Sequence, residues 1–138
     1  MFNKKRYLPI MDAINSGAVS KEDCFLFGQF VIKPRIIKGV FLGLIGQAEE
    51  GQNVIVAVCD NKLVLFINNG KMFGESYNII YTIEKENLEF FDVKELGKKI
   101  DISLQAFEMD QSFRIIASPF DKSQNREKAL QRLIQLVP

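Results

Sequence analysis

The sequence predicts a mainly β domain closed by a C-terminal helix, and three stretches carry that expectation. Ile100, Ile102, Leu104 and Ala106 alternate with Asp101, Ser103 and Gln105, the period of two of a strand with one face on a core and one in water. Val54–Cys59 and Leu63–Ile67 are short β-branched runs separated by Asp60-Asn61-Lys62, a hairpin-type break. Leu130, Leu133, Ile134 and Val137 then recur at i, i+3, i+4 and i+7, one apolar stripe of a helix that needs a concave apolar surface beneath it.

From the start of the chain, residues 1–23 form a basic N-terminal segment and 24–138 the β domain. In the first, Pro9 at a first helical position, Ile10, Ala13 and Ile14 on one side, and Gly17 as terminator predict a helix of about two turns. Such a helix is too short to stand alone and must dock on the domain or on a partner. Phe25–Ile32 reads as a strand, interrupted at Lys33-Pro34-Arg35 because Pro34 has no N–H for a ladder. Ile36–Ile45 resumes, either as a second strand after a turn at Pro34 or as one strand kinked there, and 46–53 is a polar loop.

After the central hairpin, Tyr77, Ile79, Tyr81 and Ile83 share one face of a strand. Glu84-Lys85-Glu86 and the closing Leu96-Gly97-Lys98-Lys99 would suit a helix with a glycine cap. Leu88-Glu89-Phe90-Phe91-Asp92-Val93 packs well as a strand, however, and a turn at Glu84–Asn87 followed by a strand at Leu88–Val93 is the expectation. Asp110-Gln111-Ser112 turns the chain into a strand at Phe113–Ala117. The last helix opens at Ser118-Pro119-Phe120-Asp121, with Ser118 as cap and Pro119 in the first turn.

Composition narrows the chemistry. The chain has 138 residues, a net charge of +1, no His and two Cys. Without His the commonest general base and metal ligand is missing, and Ser-His-Asp and Cys-His catalysis are excluded from within the chain. Cys24 and Cys59 form no CxxC and cannot complete a tetrahedral zinc site, so no metal and no cofactor is expected. They read as buried small apolar residues in a reducing compartment. No run reaches the ~20 apolar residues of a membrane span, and MFNKKRYLPIM lacks the apolar core of a signal peptide, so a cytoplasmic location is expected.

Candidate chemistry is sparse. Glu84, Glu86, Glu89 and Asp92 alternate with Lys85 and Lys94 as on a solvated face, not as an acid–base pair. Gly39, Gly43 and Gly46 fit no phosphate-binding spacing. Near-even charge and aromatics placed at apolar strand positions argue against nucleic acid as a partner. Lys4, Lys5 and Arg6 beside Tyr7 admit a peripheral anchor for an anionic surface or a plain docking helix.

The runs VIVAVCDNKLVLFINNGKMFG (Val54–Gly74) and YNIIYTIEKENLEFFDV (Tyr77–Val93), followed by the alternating hairpin and final helix, resemble the bacterial pleckstrin-homology-like domains. The sequence departs from them at Cys59-Asp60-Asn61-Lys62-Leu63, where Thr-Asp-x-Arg-Leu is more usual. The resemblance implies a bent, seven-stranded antiparallel barrel capped by the last helix, a fold that hosts lipid, peptide and protein binding. Lys33-Pro34-Arg35 resembles the Lys-x-Arg element of lipid-binding members, which makes Lys33, Arg35 and Lys38 the candidate anion-binding residues. A charged turn at a strand break accounts for the same three.

The expectation is thus a non-catalytic binding or adaptor module. It would contact a protein partner, a second copy of itself, or peripherally an anionic membrane surface. The alternative is a small-ligand carrier or small enzyme with an apolar interior lined by Phe25, Phe27 and Phe66. A barrel of this size is narrow enough for side chains to fill.

Overall fold

The structure is a computed structural model, described here for residues 4–32, 51–68, 74–77, 79–107, 109, 112–120 and 126–138. Seven antiparallel strands form a curled half-barrel with a helix at each end of the chain. The elements are α1 (Lys4–Ser16), β1 (Cys24–Ile32), β2 (Asn53–Val58), β3 (Lys62–Ile67), β4 (Ile79–Glu84), β5 (Leu88–Leu96), β6 (Lys99–Ala106), β7 (Phe113–Pro119) and α2 (Arg126–Gln135). The strand order is β4-β3-β2-β1-β7-β6-β5. The chain therefore lays down one four-strand meander, then a three-strand meander, and joins them where β7 pairs with β1.

The local reasons are legible residue by residue. The β2–β3 hairpin closes at Asp60-Asn61, with the Cys59 N–H donating to the Lys62 carbonyl at 3.0 Å. Lys85–Asn87 form the short 3-10 turn into β5, as the sequence suggests. Gly97 takes the positive φ of 62° that the β5–β6 turn requires.

The core has two parts. On the inner face Leu26, Phe30, Val56, Leu65, Ile83, Ile102, Phe113 and Ile115 pack with Leu130, Leu133 and Leu136 of the α2 region. On the outer face of β1–β3, Phe25, Ile55, Ala57, Val64 and Phe66 pack beneath Ile10 and Ala13 of α1, with Val19 and Tyr77 alongside. Hence β2 and β3 are buried on both faces and read as unbroken apolar runs. The outer face of β5–β7 alternates with polar residues and carries an Arg114–Asp101 pair at 2.6 Å.

Three expectations are corrected. The C-terminal helix begins at Arg126, and Ser118-Pro119 instead end β7, paired with Phe27 and Leu26. Helix-start logic misleads at Pro119 because a strand terminus, where β6 no longer pairs, tolerates a missing N–H equally well. The buried stripe of α2 is Ala129, Leu130 and Leu133, continued by Leu136, whereas Ile134 is 60% exposed and Val137 43%. Small Ala129 lets the helix approach, and the stripe rotates toward it. Tyr77 does not share the face of Tyr81 and Ile83; it precedes β4 and packs in the outer cluster.

The N-terminal helix differs in length alone. α1 is thirteen residues long with Pro9 inside it, so its first turn lies before the proline. Its end is as read: Gly17 has φ 84°, and the Gly17 and Ala18 N–H groups donate to Ile14 and Ala13, the Schellman closure. The expectation for 36–45, and with it the choice between two strands and one kinked at Pro34, lies outside the described residues.

The packing sets two stability outcomes. Leu133→Ala should cost about 2–5 kcal/mol in denaturant unfolding, while Ile134→Ala stays within about 0.5 kcal/mol. Equal losses would mean that α2 docks on a different face. At Gly28 an added Cβ would clash with the Ile116 carbonyl and meet Ala117 at 2.7 Å, where β1 and β7 join the two meanders. Gly28→Ala should therefore cost about 1–3 kcal/mol, the range for overpacking.

Candidate functional site

The most concentrated polar constellation joins three distant stretches. Arg6, in the first turn of α1, grips Glu75 with two parallel bonds: Nε to Oε2 at 2.9 Å and a terminal nitrogen to Oε1 at 2.8 Å. The same Oε1 accepts from Asn53 Nδ2 at 2.8 Å and from the Tyr77 hydroxyl at 2.8 Å. Below the guanidinium, 3.9 Å from its carbon, lies the Phe27 ring, and Tyr77 meets that ring edge-on at 6.3 Å. Gln29 Nε2 donates to Asn53 Oδ1 at 3.2 Å and extends the network along β1.

Each position has a local cause. Phe27 points outward because β1 alternates, with Leu26 inward. Asn53 opens β2 opposite Gln29. Glu75 is held by Gly74, at φ 94°, and by the Ser76 N–H donating to Asn68 Oδ1 at 2.9 Å. The electrostatics follow from the contacts. The Arg6 bonds hold the Glu75 carboxyl down at about 2, helped by Tyr77 and Asn53. Burial, then the bond to Glu75, pushes the Tyr77 hydroxyl up. Near neutral pH one group stays ionised and the other protonated, so the Arg6–Glu75 pair is kept without exchanging protons.

A second cluster lies at the far end of the sheet. Arg132 of α2 reaches Asp23 Oδ1 at 2.9 Å and the Val58 carbonyl at 3.3 Å, with Asp60 at 3.5 Å. Arg126 reaches Glu95 at 2.8 Å and the Gly97 carbonyl at 3.2 Å. The two arginines tie α2 to the β2–β3 and the β5–β6 hairpins. Cys24 and Cys59 are both buried with free thiols, as read. Burial and a bond with Asp23 push Cys59 up to about 12, and burial pushes Cys24 up, so both stay as thiols.

The sequence candidates fare differently. Lys33, Arg35 and Lys38 lie outside the described residues. Arg6, read as part of a basic anchor, is taken up by Glu75. Glu86 and Glu89 are exposed, and Glu84 and Asp92 half-buried, consistent with a solvated face. Phe25 and Phe66 do not line an interior: they fill the layer between the sheet and α1, with Phe27 at its margin. Asn53, Glu75 and Tyr77 were not recognisable as a set, because Arg6 and Glu75 are 69 residues apart and no local spacing links them. Among the described residues no group of His, Cys, Asp and Glu is placed to hold a metal ion. No helix there is long and apolar enough to cross a membrane.

No family model matches the chain, and no curated protein matches it. Among solved structures, the hSac2 domain from human phosphoinositide phosphatase Sac2 is similar at 9% identity and a TM-score of 0.46, over 99% of this chain and 82% of that one. A likeness that slight carries no functional argument.

The Glu75 shift predicts a pH dependence. Its carboxyl lies at about 2 in the folded chain against an ordinary 4.5. The stabilisation is fully present above about pH 4.5 and is lost as pH falls toward 2. In urea unfolding, the stability gap between the parent and Glu75→Gln should shrink across that window. A gap that stays constant from pH 6 to pH 2 would show that the carboxylate charge is not what binds Arg6.

Proposed function

We propose that this chain is a non-catalytic binding module that acts through a protein partner. The observation that carries the reading is an exposed aromatic pair at the β5–β6 edge. Phe90 stands opposite Gln105 on the outward face of β5 and is 45% exposed. Phe107, just past β6, is 67% exposed, and its N–H donates to the Asn87 carbonyl at 2.8 Å, which holds it beside the start of β5. Two phenylalanines in water on one edge are costly unless something covers them, and rigid aromatics are the side chains that anchor protein interfaces.

Further support comes from the groups that would carry chemistry. Glu75 and Tyr77 are locked in fixed protonation states, and both thiols are held protonated. The inner face, where a carrier would need space, is packed by the large apolar cluster with α2. The hairpin order and final helix keep the pleckstrin-homology-like reading as part of the proposal, with Lys33, Arg35 and Lys38 as its anion-binding surface. The partner reading is preferred because it rests on two aromatic side chains that stand in water.

A photocrosslinking amino acid placed at position 107 in expressing cells tests the proposal. A discrete adduct at 107, lost on Phe90→Ser and not formed from position 98, is the expected result. If position 107 gives no adduct and the chain instead sediments with anionic vesicles, weakened by salt and by Lys33→Ala with Arg35→Ala, the function belongs to the membrane surface.

A further inference from the structure

The pocket that receives Arg6 is built without α1. Phe27 comes from β1, Asn53 from β2, and Glu75 and Tyr77 from the stretch before β4. Glu75 keeps two of its partners, Asn53 and the Tyr77 hydroxyl, when Arg6 is taken away. This is a receptor for a planar cation: a carboxylate for the guanidinium fork, an aromatic ring below it, and a second ring closing the side. The apolar floor that continues from it, Ile55, Ala57, Val64 and Phe66, accepts Ile10 and Ala13, four and seven residues beyond the arginine on one helix face.

α1, thirteen residues long, meets that floor with a narrow apolar stripe, Ile10 and Ala13 with Ile14 packed beside them. Among its described side chains Ile10 and Ala13 are the buried ones, while Leu8 remains 56% exposed. Its C-terminal end turns on Gly17 in the left-handed region, and Val19 just beyond is buried in the same outer cluster. An apolar floor is not left bare in water, so a helix that lifts from it is replaced, and the helix that matches the floor is another α1.

We propose that the Phe27–Asn53–Glu75–Tyr77 pocket is an arginine-reading site for an amphipathic helix, which α1 occupies in its own chain and which the α1 of a second copy occupies by exchange. The site differs from the Phe90–Phe107 edge, so the two readings stand or fall separately. It gives the chain a self-association mode in which helix and pocket trade partners without any new surface. The recognition needs the fork of arginine and not charge alone, since lysine offers no parallel pair of donors.

The test is binding of a fluorescent peptide of residues 1–17 to the full-length protein, read by anisotropy. In the double variant Arg6→Ala, Ile10→Ser the cis helix is weakened, and circular dichroism reports whether the sheet is kept. Peptide affinity should rise at least tenfold over the parent, whose own helix competes at high effective concentration. Adding Glu75→Gln should remove that gain, and a peptide carrying Arg6→Lys should bind at least tenfold more weakly. Should the double variant lose its fold, Arg6→Ala alone makes the same comparison with Ile10 retained. Absence of peptide binding by a folded variant, or binding indifferent to Glu75 and to the lysine exchange, overturns the proposal.

Discussion

The structure depends on one constraint: β2 and β3 are apolar on both faces and must be covered from both sides. Residues Val54–Val58 and Leu63–Ile67 are almost wholly removed from water. A sheet curled on itself covers the inner face with the help of β5–β7 and α2. That curl turns away from Ile55, Ala57, Val64 and Phe66, so a second layer is required, and α1 supplies it. Omitting either layer would leave several aliphatic and aromatic side chains in water, each worth on the order of 1.5–3 kcal/mol when buried. The outer face of β6 and β7 is under no such demand, because Asp101, Ser103, Gln105 and Arg114 make it largely polar.

Charge then sets where the two helices sit. Arg126 and Arg132 fasten α2 to opposite hairpins, and Arg6 fastens α1 to Glu75. Arg132 and Arg6 are at most about one-third exposed, and Asp23 and Glu75 are less exposed still. Such pairs orient the elements more than they stabilise them, since desolvation offsets much of the attraction. The Arg6 bonds also hold the Glu75 carboxyl well below the ordinary carboxylate range, so that fastening stays charged at neutral pH.

Much of the frame was legible because period and turn chemistry are local. The hairpin at Asp60-Asn61, the turn at Lys85–Asn87, the alternation of Lys99–Ala106 and the glycine end of α1 all follow from neighbours in sequence. The failures share a cause. Pro119 obeys the same steric rule at a strand end as at a helix start, so only β6 running out of pairing distinguishes the two. Ile134 fits the helical period as well as Ala129 does, and only the sheet beneath decides which one is buried. Tyr77 matches the alternation of β4 by spacing, but the strand begins after it. The Arg6–Glu75 site was illegible for a stronger reason: its members come from α1, β1, β2 and the approach to β4, and only the folded sheet brings them together.

Native-state hydrogen exchange, resolved to single amides, tests the two-sided burial most directly. If β2 and β3 are the centre of the structure, their amides exchange only through global unfolding, and those of β5 and the exposed turn of α1 open at lower free energy. The β2 amides should also lose protection when Ile10 is replaced by serine, because their outer cover is weakened. Slowest exchange in β5–β6, with β2 and β3 opening early and unaffected by the change at Ile10, would contradict the account.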